Sequence, residues 1–310
     1  MIREAIFGVA AAVAIVFAMG AGALDQLTYS RTAGHYFSSD GVPIHYVIEG
    51  EGDPVILLHG LGVNPDINFR RSGLIQALRQ EFMVISMDHR GHGLSGKPHD
   101  EIAYGTEMPR DVVRLMDHLG IERAAVVGYS LGGMVTLKLT TMYPERLVCV
   151  SPNAFGYVED LPERRDLLEG IVASLEAGDG FAPLIRGVAP PGNPPSDRRI
   201  RYVDNFLRQV NDQHAVAQLV RGFPELLLDP DELRANTVPV LTMIGTEDPL
   251  IDDVEKLGEL MANIEIVHIE GRDHVTAISQ EFRDRLRAFI REHYARERED
   301  GQAPELAEAV

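Results

Sequence analysis

Short apolar segments alternate with amphipathic segments through most of this chain. Residues 82–87 form a continuous apolar run, which is typical of a strand covered on both faces. Residues 108–119 place apolar side chains at helical spacing, and Gly120 ends that segment. Such alternation predicts an α/β fold, with a mostly parallel central sheet flanked by helices. Further strands are expected at 42–48, 54–58, 124–127, 147–150, 238–244 and 264–269, and further helices at 74–80, 131–142, 252–261 and 278–293.

The first two strands are separated by a short segment rich in glycine and ending in proline, residues 49–54. Glycine and proline supply the dihedral angles that tight turns need. We therefore expect these two strands to form a hairpin.

The strand-helix alternation lapses between residues 156 and 236. Helical patterns remain around 165–175 and 199–220, and a proline-rich segment at 189–195 separates them. Insertions of this kind often form lids over a binding site. The sequence therefore predicts a helical cap at 156–236 inserted into a core made of residues 25–155 and 237–295, followed by a flexible acidic tail at 296–310.

The N-terminus is strongly apolar. Residues 5–24 carry no charge, Arg3 precedes them, and small residues end the run before Asp25. Such a segment predicts export, with residues 1–24 acting as a signal peptide and the protein lying in the periplasm or outside the cell. An uncleaved membrane anchor is one alternative, because about 20 apolar residues suffice to cross a bilayer. A buried helix of the catalytic domain is the other.

Charge and cysteine content exclude several kinds of partner. The 310 residues include 29 Lys and Arg against 47 Asp and Glu, a formal net charge of −18. Nucleic acid is therefore not an expected partner, because phosphate binding needs clustered basic residues. Cys149 is the only cysteine, which excludes an internal disulfide and thiolate zinc sites, and we expect it to be buried. No cofactor or metal is predicted, and the oligomeric state stays open.

A Gly-X-Ser-X-Gly sequence occupies residues 128–132, directly after a predicted strand and before a predicted helix. In that context the motif predicts a sharp turn that exposes its serine at the carboxyl edge of the sheet. Gly128 and Gly132 leave room for the crowded backbone, and the helix N-terminus directs its amides toward developing negative charge. Ser130 is therefore a candidate nucleophile.

A serine nucleophile needs a base to take its proton and a carboxylate to orient that base. Asp248 and His274 each follow a predicted strand of the sheet, so both are expected at the same edge as the serine. Glu247, Asp252 and Asp253 compete with Asp248 for the role of the acid. We interpret these three as solvated loop carboxylates or as carboxylates that favour a helix N-terminus.

These motifs, in this order, resemble the α/β-hydrolase family, whose triad runs Ser, acid, His along the chain. The resemblance covers about residues 35–155 and 237–292 and implies Ser130 as nucleophile, Asp248 as acid and His274 as base. The cap is not covered by it.

The resemblance also includes the His-Gly-Leu-Gly sequence at 59–62. It implies that the backbone N–H groups of Leu61 and Leu131 form the oxyanion hole, while His59 and Gly60 shape the loop that carries the first of them. Losing such a donor typically costs about 10²- to 10³-fold in turnover.

The segment 88–95 resembles the Asp-X-Arg-Gly-X-Gly-X-Ser loop of the same family, which mainly supports the active site. His89 and His92 lie three residues apart in it. A metal site needs more ligands than this pair supplies. We therefore predict no metal here.

The type of nucleophile indicates the reaction. In this family an aspartate at this position serves epoxide opening or halide displacement, whereas serine implies attack on a carbonyl through an acyl-enzyme intermediate. The leading hypothesis is hydrolysis of an ester, a lactone or a related acyl bond in a small, apolar substrate. Carbon–carbon bond hydrolysis and cofactor-free perhydrolysis use the same triad and stay open. From other classes, a ligand-binding sensor with slow turnover and a membrane-anchored accessory protein are the alternatives.

Overall fold

One eight-stranded sheet organises the molecule in the computed structural model, which describes residues 32–187, 195–274 and 276–301. The strands are β1 (His35–Ser39), β2 (Val42–Glu49), β3 (Asp53–Leu58), β4 (Phe82–Met87), β5 (Ala124–Tyr129), β6 (Leu147–Asn153), β7 (Val240–Gly245) and β8 (Ile264–Ile269). Their order in the sheet is β1-β2-β4-β3-β5-β6-β7-β8. The β1–β2 and β2–β4 pairs are antiparallel and all other neighbours are parallel, so the predicted fold class is confirmed.

Helices cover both faces of this sheet. They are α1 (Leu74–Leu78), α2 (Glu107–His118), α3 (Leu131–Met142), α4 (Pro162–Glu176), α5 (Ala182–Gly187), α6 (Asp197–Val210), α7 (Gln213–Arg221), α8 (Pro230–Arg234), α9 (Ile251–Leu260) and α10 (Gln280–Glu299). Short helical turns lie at Asp66–Arg70, Glu101–Ala103, Pro144–Arg146 and Phe223–Leu226.

The core consists of two apolar clusters, one on each side of the sheet. Successive residues of a strand point to opposite faces, so Val126 joins one cluster and Val127 the other. The first cluster includes side chains of α2, α3, α9 and the cap, and the second includes those of α1 and α10. This double coverage explains why the inner strands read as unbroken apolar runs.

The predicted hairpin of the first two strands is wrong. Strands β2 and β3 do not pair, because β4 lies between them, antiparallel to β2 and parallel to β3. Residues 54–58 of β3 are fully buried, which suits an interior position, whereas β2 is partly exposed. The glycine-rich segment instead lets the chain after β2 pass close to the backbone at the start of β4, since a Cβ on Gly50 would lie 2.4 Å from the carbonyl oxygen of Phe82.

Strand and helix ends differ from the sequence predictions in a few places. Strand β1 was not predicted, and β6 runs three residues further than expected, to Asn153. Helix α10 continues to Glu299, so residues 296–299 are helical and do not belong to a flexible tail. Glu297 within this extension pairs with Arg123.

Between β6 and β7 the described chain is helical, from α4 to α8, as expected of a cap. The helical pattern at 199–220 is two helices, because α6 ends before Asn211 and Asp212 begins α7 by accepting a hydrogen bond from Ala215 N at 3.1 Å. Most of the proline-rich segment 189–195 lies outside the described residues.

The predicted export segment at residues 1–24 also lies outside the described residues, and it stays a prediction. Within the described ranges, no helix combines the length and the apolar character needed to span a bilayer. Cys149 is buried, as expected.

Tyr294 of α10 links two strands through one buried hydroxyl. Its oxygen donates to Pro54 O of β3 at 2.5 Å and accepts from Ala125 N of β5 at 3.0 Å. We expect Tyr294→Phe to lower the free energy of unfolding by about 1–3 kcal/mol, because it leaves two buried backbone groups unpaired. Urea denaturation measures this loss. Tyr36→Phe, at a tyrosine that is 53% exposed, is the matched control and should change little; equal stability of the two variants would contradict the prediction.

Candidate active site

Ser130 stands at a sharp turn between β5 and α3. Its backbone adopts φ 57° and ψ −111°, a conformation that L-residues rarely occupy and that costs on the order of 1–3 kcal/mol. Its amide donates to Asn153 O at the end of β6, at 2.8 Å. The turn therefore fixes the serine at the carboxyl ends of the parallel strands, where the sequence placed it.

The two glycines of the motif are required by close backbone contacts. A Cβ on Gly128 would lie 2.0 Å from Gly132 O, and a Cβ on Gly132 would lie 1.8 Å from Leu58 O. Any larger residue at either position would push α3 away from β5 or β3. The glycines thus hold the serine in its strained conformation.

His274 and Asp248 form a buried pair. Nδ1 of His274 lies 2.7 Å from Oδ2 of Asp248, and both side chains are almost fully buried. Asp248 also accepts a hydrogen bond from Leu250 N at 2.9 Å. The loops that carry the pair are joined by a bond from Glu247 N to Arg272 O at 2.9 Å, so the acid and the imidazole are held as one unit.

The carboxylate sets the tautomer of His274. A proton on Nδ1 faces Asp248, which leaves Nε2 as a proton acceptor. This nitrogen is buried and has no hydrogen-bond partner among the described residues, Ser130 included. Tyr129, which precedes the serine, donates its hydroxyl to His274 O at 2.6 Å and so ties the backbone of the histidine to β5. Catalytic hydrogen bonds are often long in a free enzyme and shorten when substrate binds.

His59 orients the first candidate oxyanion donor. Its Nδ1 donates to Gly60 O at 2.7 Å, and Gly60 N donates to Oδ1 of Asn68 at 2.9 Å. Because the carbonyl and N–H of one trans peptide point in opposite directions, the first bond directs the N–H of Leu61 away from His59. Leu131, the second candidate donor, is the first residue of α3, where amides lack partners within the helix.

Three histidines support the loop at 59–62. His89 and His92 belong to the segment 88–95, and His59 is the first residue of the loop itself. His92 Nε2 accepts from Gly62 N at 2.8 Å, and His59 Nε2 accepts from His89 N at 3.0 Å. His89 Nε2 donates to His59 O at 3.1 Å. These ring nitrogens serve the backbone, and in the described part of the chain no group of side chains forms a metal site.

Comparison with known proteins identifies the family. The family model described as "alpha/beta hydrolase fold" matches residues 53–278, most of the chain. The chain belongs to this family. The turn at Ser130, the loop at 59–62 and the two loops with Asp248 and His274 all fall within the matched residues of this α/β hydrolase.

Its relatives include hydrolases. Over 134 residues it is 36% identical to cis-3-alkyl-4-alkyloxetan-2-one decarboxylase of Shewanella oneidensis, a match that covers 41% of either protein and so less than half the length of that relative. Over 250 residues it is 29% identical to 2-(acetamidomethylene)succinate hydrolase of Mesorhizobium japonicum, covering 75% of this chain and 86% of the relative. A crystal structure of a meta-cleavage product hydrolase superposes with a TM-score of 0.65 at 25% identity, covering 85% of this chain and 98% of the other.

Sequence reasoning missed Asn153, which in this α/β hydrolase ties β5, the strand before Ser130, to β7, the strand before Asp248. Its side-chain nitrogen donates to Gly128 O at 3.2 Å and to Ser151 O at 2.7 Å, and its Oδ1 accepts from Met243 N of β7 at 3.1 Å. The only signal in the sequence was an asparagine close to the end of a strand. It did not identify the role of Asn153, because the partners in the two other strands are distant in sequence.

Asp253 lies in the first turn of α9, which agrees with its interpretation as a helix N-terminal carboxylate, but it is not solvated. This residue of α9 is buried and lies 2.9 Å from Nη2 of Arg164 on the cap helix α4. Burial raises the pKa of Asp253, while the Arg164 guanidinium acts in the opposite direction. The pair joins the cap to the core, a contact that the local pattern around 252–253 does not reveal.

Burial lowers the pKa of His59, His89 and His92. Because their pKa values in the folded chain lie below the unfolded value of about 6.5, the unfolded chain binds more protons as the pH falls through that value. The contribution of these histidines to stability is therefore complete above about pH 6.5 and is lost as the pH drops toward their lowered pKa values. Each histidine contributes up to about 1.4 kcal/mol per pH unit. The free energy of unfolding of the wild type should decrease between pH 7 and pH 5. We expect this decrease to be smaller in His92→Gln, as measured by urea denaturation at both pH values.

The exposed His35 provides the matched control. His35→Gln should keep the wild-type loss of stability between the two pH values, because this exposed side chain lies outside the buried cluster of His59, His89 and His92. A wild-type loss in His92→Gln would contradict the assignment.

Proposed function

We propose that this protein is a serine hydrolase that cleaves a carboxylic ester, a lactone or a related acyl bond through an acyl-enzyme intermediate. The observation that carries the proposal is the buried pair of His274 and Asp248, at 2.7 Å, bonded through the backbone of His274 to Tyr129, the residue before the strained Ser130. A purely structural histidine does not need a buried Nε2 without a hydrogen-bond partner while a carboxylate holds its other ring nitrogen.

In the proposed first step, Nε2 of His274 takes the proton of Ser130 Oγ as that oxygen attacks the substrate carbonyl. The carbonyl oxygen becomes an oxyanion, and the N–H groups of Leu61 and Leu131 stabilise it. Asp248 stabilises the imidazolium that forms. Collapse of the tetrahedral intermediate breaks the bond to the leaving group, which takes the proton from His274.

The second step repeats this chemistry with water. His274 removes a proton from the water molecule, whose oxygen attacks the acyl carbon bonded to Ser130 Oγ. The second intermediate collapses, the Oγ–acyl bond breaks, and the proton returns to Ser130. A carboxylic acid leaves and the enzyme is restored.

An apolar cavity supports an apolar acyl chain as the substrate's tail. It has a volume of about 230 Å³ and lies between α3, α4 and the turn at 223–226, with Met134, Leu168 and Phe223 in its wall. Met134 is one helical turn from the nucleophile, since its amide donates to Ser130 O at 2.8 Å. A substrate carbonyl at Ser130 would thus have an apolar space within a short distance along α3.

Carbon–carbon bond hydrolysis is the second candidate. The structural similarity to a meta-cleavage product hydrolase favours it, because the same three side chains can serve attack on a ketone carbonyl. A panel of esters, lactones and vinylogous diketones separates the two reactions.

Ser130→Ala tests the proposed nucleophile. We expect turnover of p-nitrophenyl butyrate to fall on the order of 10⁴-fold or more, because the acyl-enzyme cannot form. Labelling by a fluorophosphonate probe should disappear as well. Ser38→Ala, at an exposed serine of β1, is the matched control and should keep both activities; labelling that persists in Ser130→Ala would refute the assignment.

Met134→Trp tests the acyl pocket. The larger side chain should fill the cavity and lower the ratio of kcat/KM for p-nitrophenyl octanoate to that for the acetate by about 10-fold or more. Met134→Leu, which nearly preserves volume, should keep the wild-type ratio. An unchanged ratio in Met134→Trp would show that the acyl chain lies elsewhere.

A further inference from the structure

The oxyanion loop is held from two sides at Gly62. Its N–H donates to His92 Nε2 of the core at 2.8 Å. Its carbonyl oxygen accepts a hydrogen bond from Nδ2 of Asn211 at 3.0 Å. Asn211 belongs to the cap and is 149 residues away in sequence. The side chain of Asn211 on the cap is therefore hydrogen-bonded to the loop that carries Leu61, a candidate oxyanion donor.

The orientation of the Asn211 amide is fixed by its partners. Nδ2 also donates to Leu207 O in the last turn of α6, at 3.1 Å, so both contacts of this nitrogen are to carbonyl oxygens. The backbone amide of Asn211 donates to Leu207 O as well, at 3.0 Å, which fixes the residue at the end of its helix. The side chain is buried, so only a donor fits at this position.

The bond to Gly62 bears on the geometry of the Leu61 amide. Gly62 has φ +74°, and the bond from His59 to Gly60 O fixes the other end of the short loop. The N–H of Leu61 lies between these two anchors. If the bond to Gly62 O is lost, only the bonds of His59 and His92 hold this part of the loop, and the Gly60–Leu61 peptide gains freedom to tilt. An oxyanion donor contributes only while it is aligned with the developing charge, and a misplacement of about 1 Å can cost about 10²-fold in rate.

We propose that Asn211 is a positioning residue for the oxyanion hole, through which the seated cap aligns the N–H of Leu61. This inference rests on the proposed serine-hydrolase function. A role in packing the cap alone would affect substrate binding or stability, whereas an effect through Leu61 falls on the transition state.

The test is steady-state kinetics of Asn211→Asp with p-nitrophenyl butyrate. The substitution preserves shape but replaces the donor by a carboxylate that faces two carbonyl oxygens. We expect kcat to fall about 10- to 100-fold while KM changes less than about threefold. Binding of a trifluoromethyl ketone, which forms a tetrahedral adduct, should weaken by the same factor as kcat/KM, and binding of butyrate should not change.

Asn236→Asp is the matched control. Asn236 is the last residue of the predicted cap, and its Nδ2 donates to a carbonyl oxygen, Val238 O, at 2.8 Å, without contacting the oxyanion loop. The same substitution there should leave kcat within about twofold of the wild type, since no oxyanion donor depends on it. Thermal denaturation of both variants checks that each is folded.

A folded Asn211→Asp with wild-type kcat, or one whose loss falls entirely on KM, would overturn the inference. If Asn211→Asp does not fold, Asn211→Ser provides the same comparison, because it shortens the side chain without adding charge. The Ser130→Ala result keeps the two proposals apart. If Ser130→Ala loses turnover and the Asn211 variants do not, only the positioning role fails; if Ser130→Ala retains turnover, the proposed function itself fails.

Discussion

Ser130 occupies a backbone conformation that its surroundings must impose, and the arrangement of the site depends on that constraint. The strain, on the order of 1–3 kcal/mol, is offset by contacts that exist only in the complete sheet. Gly132 lies directly against the carbonyl of Leu58, and the amide of Ser130 is bonded to Asn153 at the end of the next strand. The end of β5 is therefore locked between its two neighbours, and Ser130 is fixed at the carboxyl edge of the sheet.

The histidines near the turn at Ser130 form a connected network of hydrogen bonds, and their partners are main-chain atoms of the surrounding loops. His59, His89 and His92 each bond to main-chain atoms of the loops at 59–62 and 88–95. Burial keeps them neutral, which suits imidazoles that must accept and donate at once. His274 differs, because its Nε2 has no partner among the described residues while Asp248 holds its other nitrogen. His274 thus keeps a ring nitrogen available, as the proposed function requires, whereas His59, His89 and His92 use theirs to hold the backbone.

The fold class and the order of candidate residues could be predicted from sequence because they depend on local signals. Helix α3 was placed to the residue, since the Gly-X-Ser-X-Gly motif marks its start and mostly apolar residues fill it. Contacts that join distant segments were not predictable. The pairing of β2 with β4, the burial of Asp253 by Arg164, and the hydrogen bond from Asn211 to Gly62 each need a partner that no local pattern identifies. The cap is the source of two of these three contacts, and the sequence motifs that carry the family resemblance lie outside it.

The central claim is that Ser130 forms a covalent acyl intermediate with the substrate. Rapid quenching of the enzyme in acid during turnover of a p-nitrophenyl ester, followed by intact-mass and peptide mass spectrometry, measures this directly. The account predicts an added mass equal to one acyl group, located on the peptide that contains Ser130, and its accumulation with the release of one equivalent of p-nitrophenol. An acyl adduct on another residue during turnover would contradict this claim. Turnover that survives in both Ser130→Ala and His274→Ala would contradict it as well.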